Sequence, residues 1–296
     1  MDRNILNIYN AVILIVTLYA KASAGITVSE GNNVSIPCNV TKSSDMEIYW
    51  TKNSSDSTLE IKGAVLYFTN ISRIDSGQYL CNSFNKQSGK NVTEGSVTVD
   101  VYYKASVKSI TVSPSVMHEN ESYTVTCDFE GNPAPKWQIR LKDSILEIGQ
   151  SSGVYKTRMH TGNCGDTGHV TCEAKNSLNN GSEVLMQNIT VFCSPRPIWL
   201  NRYRVTAPVG GFTALVMMAH GYPYPQFTWS RDDGESIKGP VQTNLREISI
   251  LNITNIKTRD YANYSLTMNN SYGSYVAHYQ LFPSGKYRNK QFINNR

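Results

Sequence analysis

Past one apolar run near its start, the chain of 296 residues has no stretch approaching the ~20 apolar residues that cross a bilayer core. The expected product is therefore soluble, with no membrane span. No Gly-x-Ser-x-Gly elbow is present, and the five histidines (His118, His160, His169, His220, His278) are scattered singly, so nucleophilic catalysis has no visible machinery. A Gly-rich phosphate loop is also missing. These absences argue against an enzyme and call for no cofactor. The net charge of +5 is confined to the ends: Lys286, Arg288, Lys290 and Arg296 follow Pro283 with no acid among them, and Asp2, Arg3 and Lys21 leave the first 24 residues at +1. The body is close to neutral and lacks the overall basic footprint of a nucleic-acid binder. Cysteine is sparse and uneven. Six occur, and none follows Cys193, so the last third of the chain can hold no disulfide of its own.

What is present begins with an export signature. Arg3 precedes the apolar run Ala11-Val12-Ile13-Leu14-Ile15-Val16, and Ala22-Ser23-Ala24 supplies the small residues a signal peptidase accepts. Residues 1–24 are expected to be removed, leaving an extracellular, secreted chain that starts at Gly25. Eleven Asn-x-Ser/Thr sequons agree with that route: Asn33, Asn39, Asn53, Asn70, Asn91, Asn120, Asn180, Asn188, Asn252, Asn263 and Asn269. Residues 284–296 form a basic polar tail, expected to be solvated and able at most to touch an acidic surface weakly.

Cys38, Trp50 twelve residues later, and Asp75-Ser76-Gly77-Gln78-Tyr79-Leu80-Cys81 together resemble the B, C and F strands of an immunoglobulin sandwich. Around them Val34, Ile36 and Cys38, then Met46, Ile48 and Trp50, then Val97, Val99 and Val101 alternate with the period of half-buried strands. The pattern recurs twice. Cys127, Gly131-Asn132-Pro133-Ala134-Pro135 and Cys172 mark a second repeat, with Ile139 at the tryptophan position, Trp137 two residues earlier, and Val170 replacing the corner tyrosine. Gly221-Tyr222-Pro223-Tyr224-Pro225 marks a third, in which Met217 and Leu266 fall at the cysteine positions while Trp229 and Tyr264 remain.

The resemblance implies an all-β chain of three tandem immunoglobulin-like sandwiches of the intermediate set, over residues 25–103, 104–193 and 194–283, with Ser194-Pro195-Arg196-Pro197 as a stiff linker. It further implies core disulfides Cys38–Cys81 and Cys127–Cys172. In that topology Cys164 before the E–F turn and Cys193 at the end of strand G come to one end of the second sandwich, where they are expected to bond. Two free thiols, or a dimer through Cys193, are the alternatives. His160, Cys164, His169 and Cys172 are close enough in sequence to suggest a metal site, but Cys172 must face inward and His169, an odd number of residues away, outward, so no metal is expected.

By family, tandem sandwiches imply recognition of another protein, in the manner of adhesion molecules and receptor ectodomains, with a homophilic or foreign protein partner. On the first repeat, alternation turns Glu47, Tyr49 and Thr51 outward on strand C and Gln78, Leu80, Asn82 and Phe84 outward on strand F. Tyr49, Leu80 and Phe84 form an expected partner-binding cluster on a face whose C and F strands are read as free of sequons, whereas Asn33 and Asn70 fall on the opposite sheet. The second repeat turns out Gln138, Arg140, Lys142, His169, Thr171, Glu173 and Lys175, a charged and mixed set. On the third, Ser265 and Thr267 are expected to lie exposed between Asn263 and Asn269. A soluble decoy or immune-recognition molecule is the alternative function, and a structural extracellular-matrix protein the reading from another class.

Overall fold

The computed structural model describes residues 14–15, 24–41, 43–53, 58–199, 204–237 and 241–284. The expected export signal falls outside the described residues except for Leu14, Ile15 and Ala24, and the basic tail falls outside them from residue 285 on. Period-two alternation is realised as strands from end to end. Along Ser122–Asn132, for example, every second residue is buried, which puts Tyr123, Val125, Cys127 and Phe129 on one side of the strand.

In the first repeat β1 (Leu14–Ile15), β3 (Val34–Pro37) and β6 (Val65–Phe68) form one sheet. The facing sheet has the order β5 (Thr58–Lys62), β4 (Met46–Asn53), β7 (Gly77–Asn85), β8 (Lys90–Ser113), with β2 (Ala24–Ser29) parallel to β8. Val34, Ile36, Leu66, Ile48, Trp50, Tyr79, Val97, Val99 and Val101 fill the space between the sheets. Trp50 lies in register with Cys81, which is bonded to Cys38 with Cα atoms 6.0 Å apart.

The second repeat packs β10 (Ser122–Asn132), flanked by β8, β13 (Gly153–Lys156) and β14 (His160–Thr161), against β12 (Ser144–Gln150), β11 (Lys136–Leu141), β15 (Gly168–Lys175) and β16 (Glu183–Pro197), with β9 (Val116–His118) parallel to β16. Cys127 is bonded to Cys172, and Ile139 sits in register with Cys172, the place Trp50 holds against Cys81. Trp137 remains in the core by another route. Its ring stacks on Phe129 at 5.1 Å and meets Tyr155 at 4.3 Å, and it fits only because Gly149 lies over it, where a Cβ would come within 2.3 Å of the indole. Cys164 is bonded to Cys193, their Cα atoms 5.4 Å apart and each 4% exposed. That burial leaves Cys193 no surface for a dimer, and neither cysteine is free.

The third repeat sets β18 (Phe212–Tyr222), β21 (Ile248–Thr254) and β20 (Val241–Asn244) opposite β19 (Gln226–Arg231), β22 (Asn263–Asn270), β23 (Gly273–Pro283) and β17 (Arg204–Ala207). Met217 and Leu266 are fully buried in one apolar cluster with Trp229, which lies in register with Leu266. Each repeat enters its next-to-last strand through the same short 3-10 turn. The carboxylates of Asp75, Asp166 and Asp260 accept hydrogen bonds from the backbone N–H of Ser72, Asn163 and Lys257 at 2.7–2.9 Å, closing the turn from within. Where the corner tyrosine is present its hydroxyl donates four residues back: Tyr79 to the Asp75 carbonyl and Tyr264 to the Asp260 carbonyl. Burial pushes the Tyr79 phenol up to about 12.

The connections differ from the expected linker. β8 pairs with β7 through Val99 and with β10 from Tyr103 onward, so one strand closes the first sandwich and opens the second. β16 does the same for the second and third: Arg196 and Pro197 lie in register with His220 and Ala219. Ser194 to Pro197 is therefore a strand and not a spacer, and Pro195 is buried.

Polar contacts close the first junction as well. Arg73 donates to Glu30 at 2.8–3.1 Å and to Glu130 at 2.7 Å, and its guanidinium lies over the Tyr103 ring at 4.1 Å. Lys108 Nζ is 2.6 Å from Glu130, and Asn132 donates to Asp100 and to the Val101 carbonyl. The Arg73 hydrogen bonds hold the Glu30 carboxyl below its ordinary range. Burial pushes Glu130 up, but hydrogen bonds from Lys108, Arg73 and Ser106 outweigh it and hold that carboxyl down too. A carboxyl whose folded pKa is depressed contributes fully above its unfolded value of about 4.3 and loses that contribution as pH falls through the folded pKa. Acidification below that value should therefore loosen the first junction. Scattering profiles of the whole chain at pH 6 and pH 3 would test this, and Glu130→Gln should weaken the pH dependence.

Candidate protein-interaction face

The sheet β5-β4-β7-β8 of the first repeat presents the residues expected to bind a partner. Across β4 and β7 the registers are Glu47 with Phe84, Tyr49 with Asn82, and Thr51 with Leu80. Tyr49, Leu80 and Phe84 are each half-buried rather than fully exposed. Asn82 between them is 7% exposed, which corrects its expected outward exposure. Its amide donates to Thr51 Oγ1 at 3.0 Å and to the Leu80 carbonyl, and it accepts from Thr93 Oγ1 at 2.9 Å. The cause is a register shift between Cys81 and Asn82: Gly95 faces Cys81 and Thr93 faces Asn82, so Glu94 is skipped and its carboxylate turns to Ser83 Oγ at 2.5 Å.

The face is also less bare of sequons than strands C and F suggest. Asn91 on β8 lies in register with Phe84 and donates to Tyr49 Oη at 2.5 Å, and Asn53 is the last residue of β4. Asn33 and Asn70 flank β3 and β6 of the other sheet, where Asn33 Oδ1 accepts from the Asn70 backbone N–H at 3.0 Å. At the Phe84 end an ion pair, Lys86–Glu47 at 2.8 Å, borders the apolar groups and holds the Glu47 carboxyl below its ordinary range. A shallow cavity of ≈ 250 Å³ opens beside Tyr49, lined by Glu47, Glu60, Lys62 and Ala64 among others. The arrangement is an apolar strip with a polar rim, on a sheet whose centre is locked by side-chain hydrogen bonds. Such a strip can take up a complementary surface.

The family description "Immunoglobulin domain" matches residues 19–85, and "Immunoglobulin I-set domain" matches residues 201–282. The chain belongs to the immunoglobulin superfamily. Human "Peroxidasin homolog" is 25% identical over 261 residues, 82% of this chain and 17% of that protein. Human "Hemicentin-1" is 26% identical over 282 residues, 88% of this chain and 5% of that protein. The chain thus spans a small part of the length of the curated relatives it matches. Among solved structures, that of Dpr2 Ig1-Ig2 in complex with DIP-Theta Ig1-Ig3 aligns with a TM-score of 0.57 at 18% identity, over 89% of this chain and 97% of that one, a likeness of fold.

The corresponding faces of the other two immunoglobulin domains differ from expectation in opposite ways. On the second, Thr171 is buried, while Lys142, His169 and Lys175 are exposed and Gln138, Arg140 and Glu173 half-buried. The flanking strands β12 and β16, which reasoning from C and F alone passes over, add exposed Ile145, Ile148, Val184 and Met186. Ile145 and Ile148 differ in parity across the register shift between Ile139 and Arg140, and Leu185 is exposed between Val184 and Met186, so alternation along one strand does not find them. On the third, Ser265 is buried and not exposed: it donates to Asp232 at 2.5 Å and lies 2.9 Å from His278 Nδ1. Asn263 and Asn269 flank it at the surface. Cys164 and Cys172, from the suggested metal cluster, are each committed to a disulfide.

Proposed function

We propose that this chain is a secreted, glycosylated recognition protein of the adhesion or receptor-ectodomain kind, whose first immunoglobulin domain binds another protein through the β4-β7-β8 face. The observation that carries the reading is the strip Tyr49, Leu80 and Phe84, three half-buried apolar groups set in a polar rim on one sheet of the first domain. The disulfides support an extracellular site of action. The complex named for the solved neighbour, between two tandem-immunoglobulin chains, makes a protein of the same family the partner class to try first. The strand changeovers at Tyr103 and Cys193 support domain boundaries near 103/104 and 193/194.

The full chain displayed on beads would be tested for capture of a second copy and of a panel of tandem-immunoglobulin ectodomains. Leu80→Arg and Phe84→Asp should each reduce capture at least tenfold while destabilising the domain by only about 1 kcal/mol, since both side chains are partly solvated. Asn91→Gln removes the sequon that meets Tyr49 and should leave capture intact or strengthen it. Undiminished capture by both charged variants would move the site off this face.

A further inference from the structure

We infer that the outer face of β11 and β15 in the second domain is a binding site for a sulfated polysaccharide of the glycosaminoglycan type. Lys136 and Lys175 lie directly opposite each other on these adjacent strands, and both are exposed. Like charges in that position repel, and the pair has no carboxylate within ion-pair distance among the described residues. Arg73, Lys86, Lys108, Arg196 and Arg231, by contrast, each pair with an acid.

The charge continues along the strand. Arg140 lies on the same face of β11 as Lys136 and donates only to the Asp143 backbone carbonyl, and Lys142 just beyond donates only to that of Gly165. From Lys136 to Lys142 the row spans roughly 20 Å at the rise of an extended strand. The face has one acid, Glu173, which is engaged by the Gln138 amide at 2.5 Å. This basicity is local, since residues 104–193 hold eight Lys/Arg against nine Asp/Glu. Both lysines line a depression of ≈ 200 Å³ with Trp137, Gln138, Ile148 and Glu173.

That combination selects the ligand. A row of unpaired cations fits an extended chain of anionic groups, and the apolar wall of Ile148 fits the C–H face of a sugar ring. Trp137 is buried beneath the sheet and offers no platform on which a nucleic-acid base could stack, so the polysaccharide is favoured over nucleic acid.

The test uses the whole 296-residue chain on immobilised heparin, with N-desulfated heparin, hyaluronan and duplex DNA as competitors. Wild type should bind with a salt dependence near a log–log slope of roughly −3, as for four cations releasing counterions. Lys136→Glu with Lys175→Glu should lower affinity at least tenfold and flatten that slope. Lys156→Glu, on the other sheet of the same domain, should change nothing, as should truncation after Ser284, which removes the basic tail. Circular dichroism confirms that each variant is folded. Wild-type affinity in the double variant, loss of binding on removal of the tail alone, or equally strong competition by duplex DNA would each overturn the assignment.

Discussion

Trp229→Ala should unfold the third domain at temperatures where the first two remain folded. This sandwich has no cysteine, and the fully buried Met217 and Leu266 stand where the other domains have a disulfide. A native disulfide in a small secreted domain contributes about 2–5 kcal/mol, so the third domain starts with less in reserve. Trp229 is what remains of the usual centre. Its ring meets Tyr279 at 5.1 Å, and its Nε1 donates to Ser249 Oγ at 2.9 Å, which in turn donates to Asn244. Truncating such a side chain costs about 3–5 kcal/mol, a large fraction of the 5–15 kcal/mol that holds a typical domain. Calorimetry of the whole chain should show one transition moved far down by Trp229→Ala and unaffected by reductant, while reductant lowers the other two. A third-domain transition that stays with the disulfide-bonded pair would contradict the argument.

How much could be read beforehand depended on whether a residue's neighbours were fixed by its own strand or by another. The core was legible because alternation and the positions of Cys38, Trp50 and Cys81 are local, and counting twelve residues from Cys127 correctly located Ile139 against Cys172. Asn82 and Ser265 were misjudged for one shared reason. Each is a short polar side chain on a central strand, and side chains from neighbouring segments extend over it: Thr51 and Thr93 reach Asn82, and Asp232, just past β19, and His278 reach Ser265. A period-two reading of one strand does not register a bulge or a long side chain on the next. Ser194 to Pro197 misled differently. Proline suggests a linker, yet it also suits a strand position where its missing N–H leaves no ladder bond unmade, and Pro195 is packed under Gly221 at such a place. The proposed strip was read as Tyr49, Leu80 and Phe84 alone, whereas Asn91 came beside it only through the register of β8.

Replacing Cys164 and Cys193 together by serine should cost the second domain about 3–4 kcal/mol and, in addition, loosen its hold on the third. The first effect follows from chain entropy, because the bond closes a loop with a sequence separation of 29. The second follows from where the bond sits. Cys164 opens the 3-10 turn Cys164–Asp166, and Cys193 lies on β16 in register with Tyr222 of the third domain. The Cys193 carbonyl accepts from Asn270 at 2.9 Å, Phe192 beside it stacks on Tyr272 at 5.1 Å, and Arg196 pairs with Glu119. The disulfide thus anchors the strand that both domains share, at the point where it passes from one to the other. Denaturant unfolding of the double variant, with Cys127–Cys172 intact, should show the lower midpoint for the second domain. Distances between labels on the second and third domains should broaden in the same protein. A change in stability without broadening would limit the bond to the second domain, and a peptide map showing either cysteine free in the native chain would remove the basis for both effects.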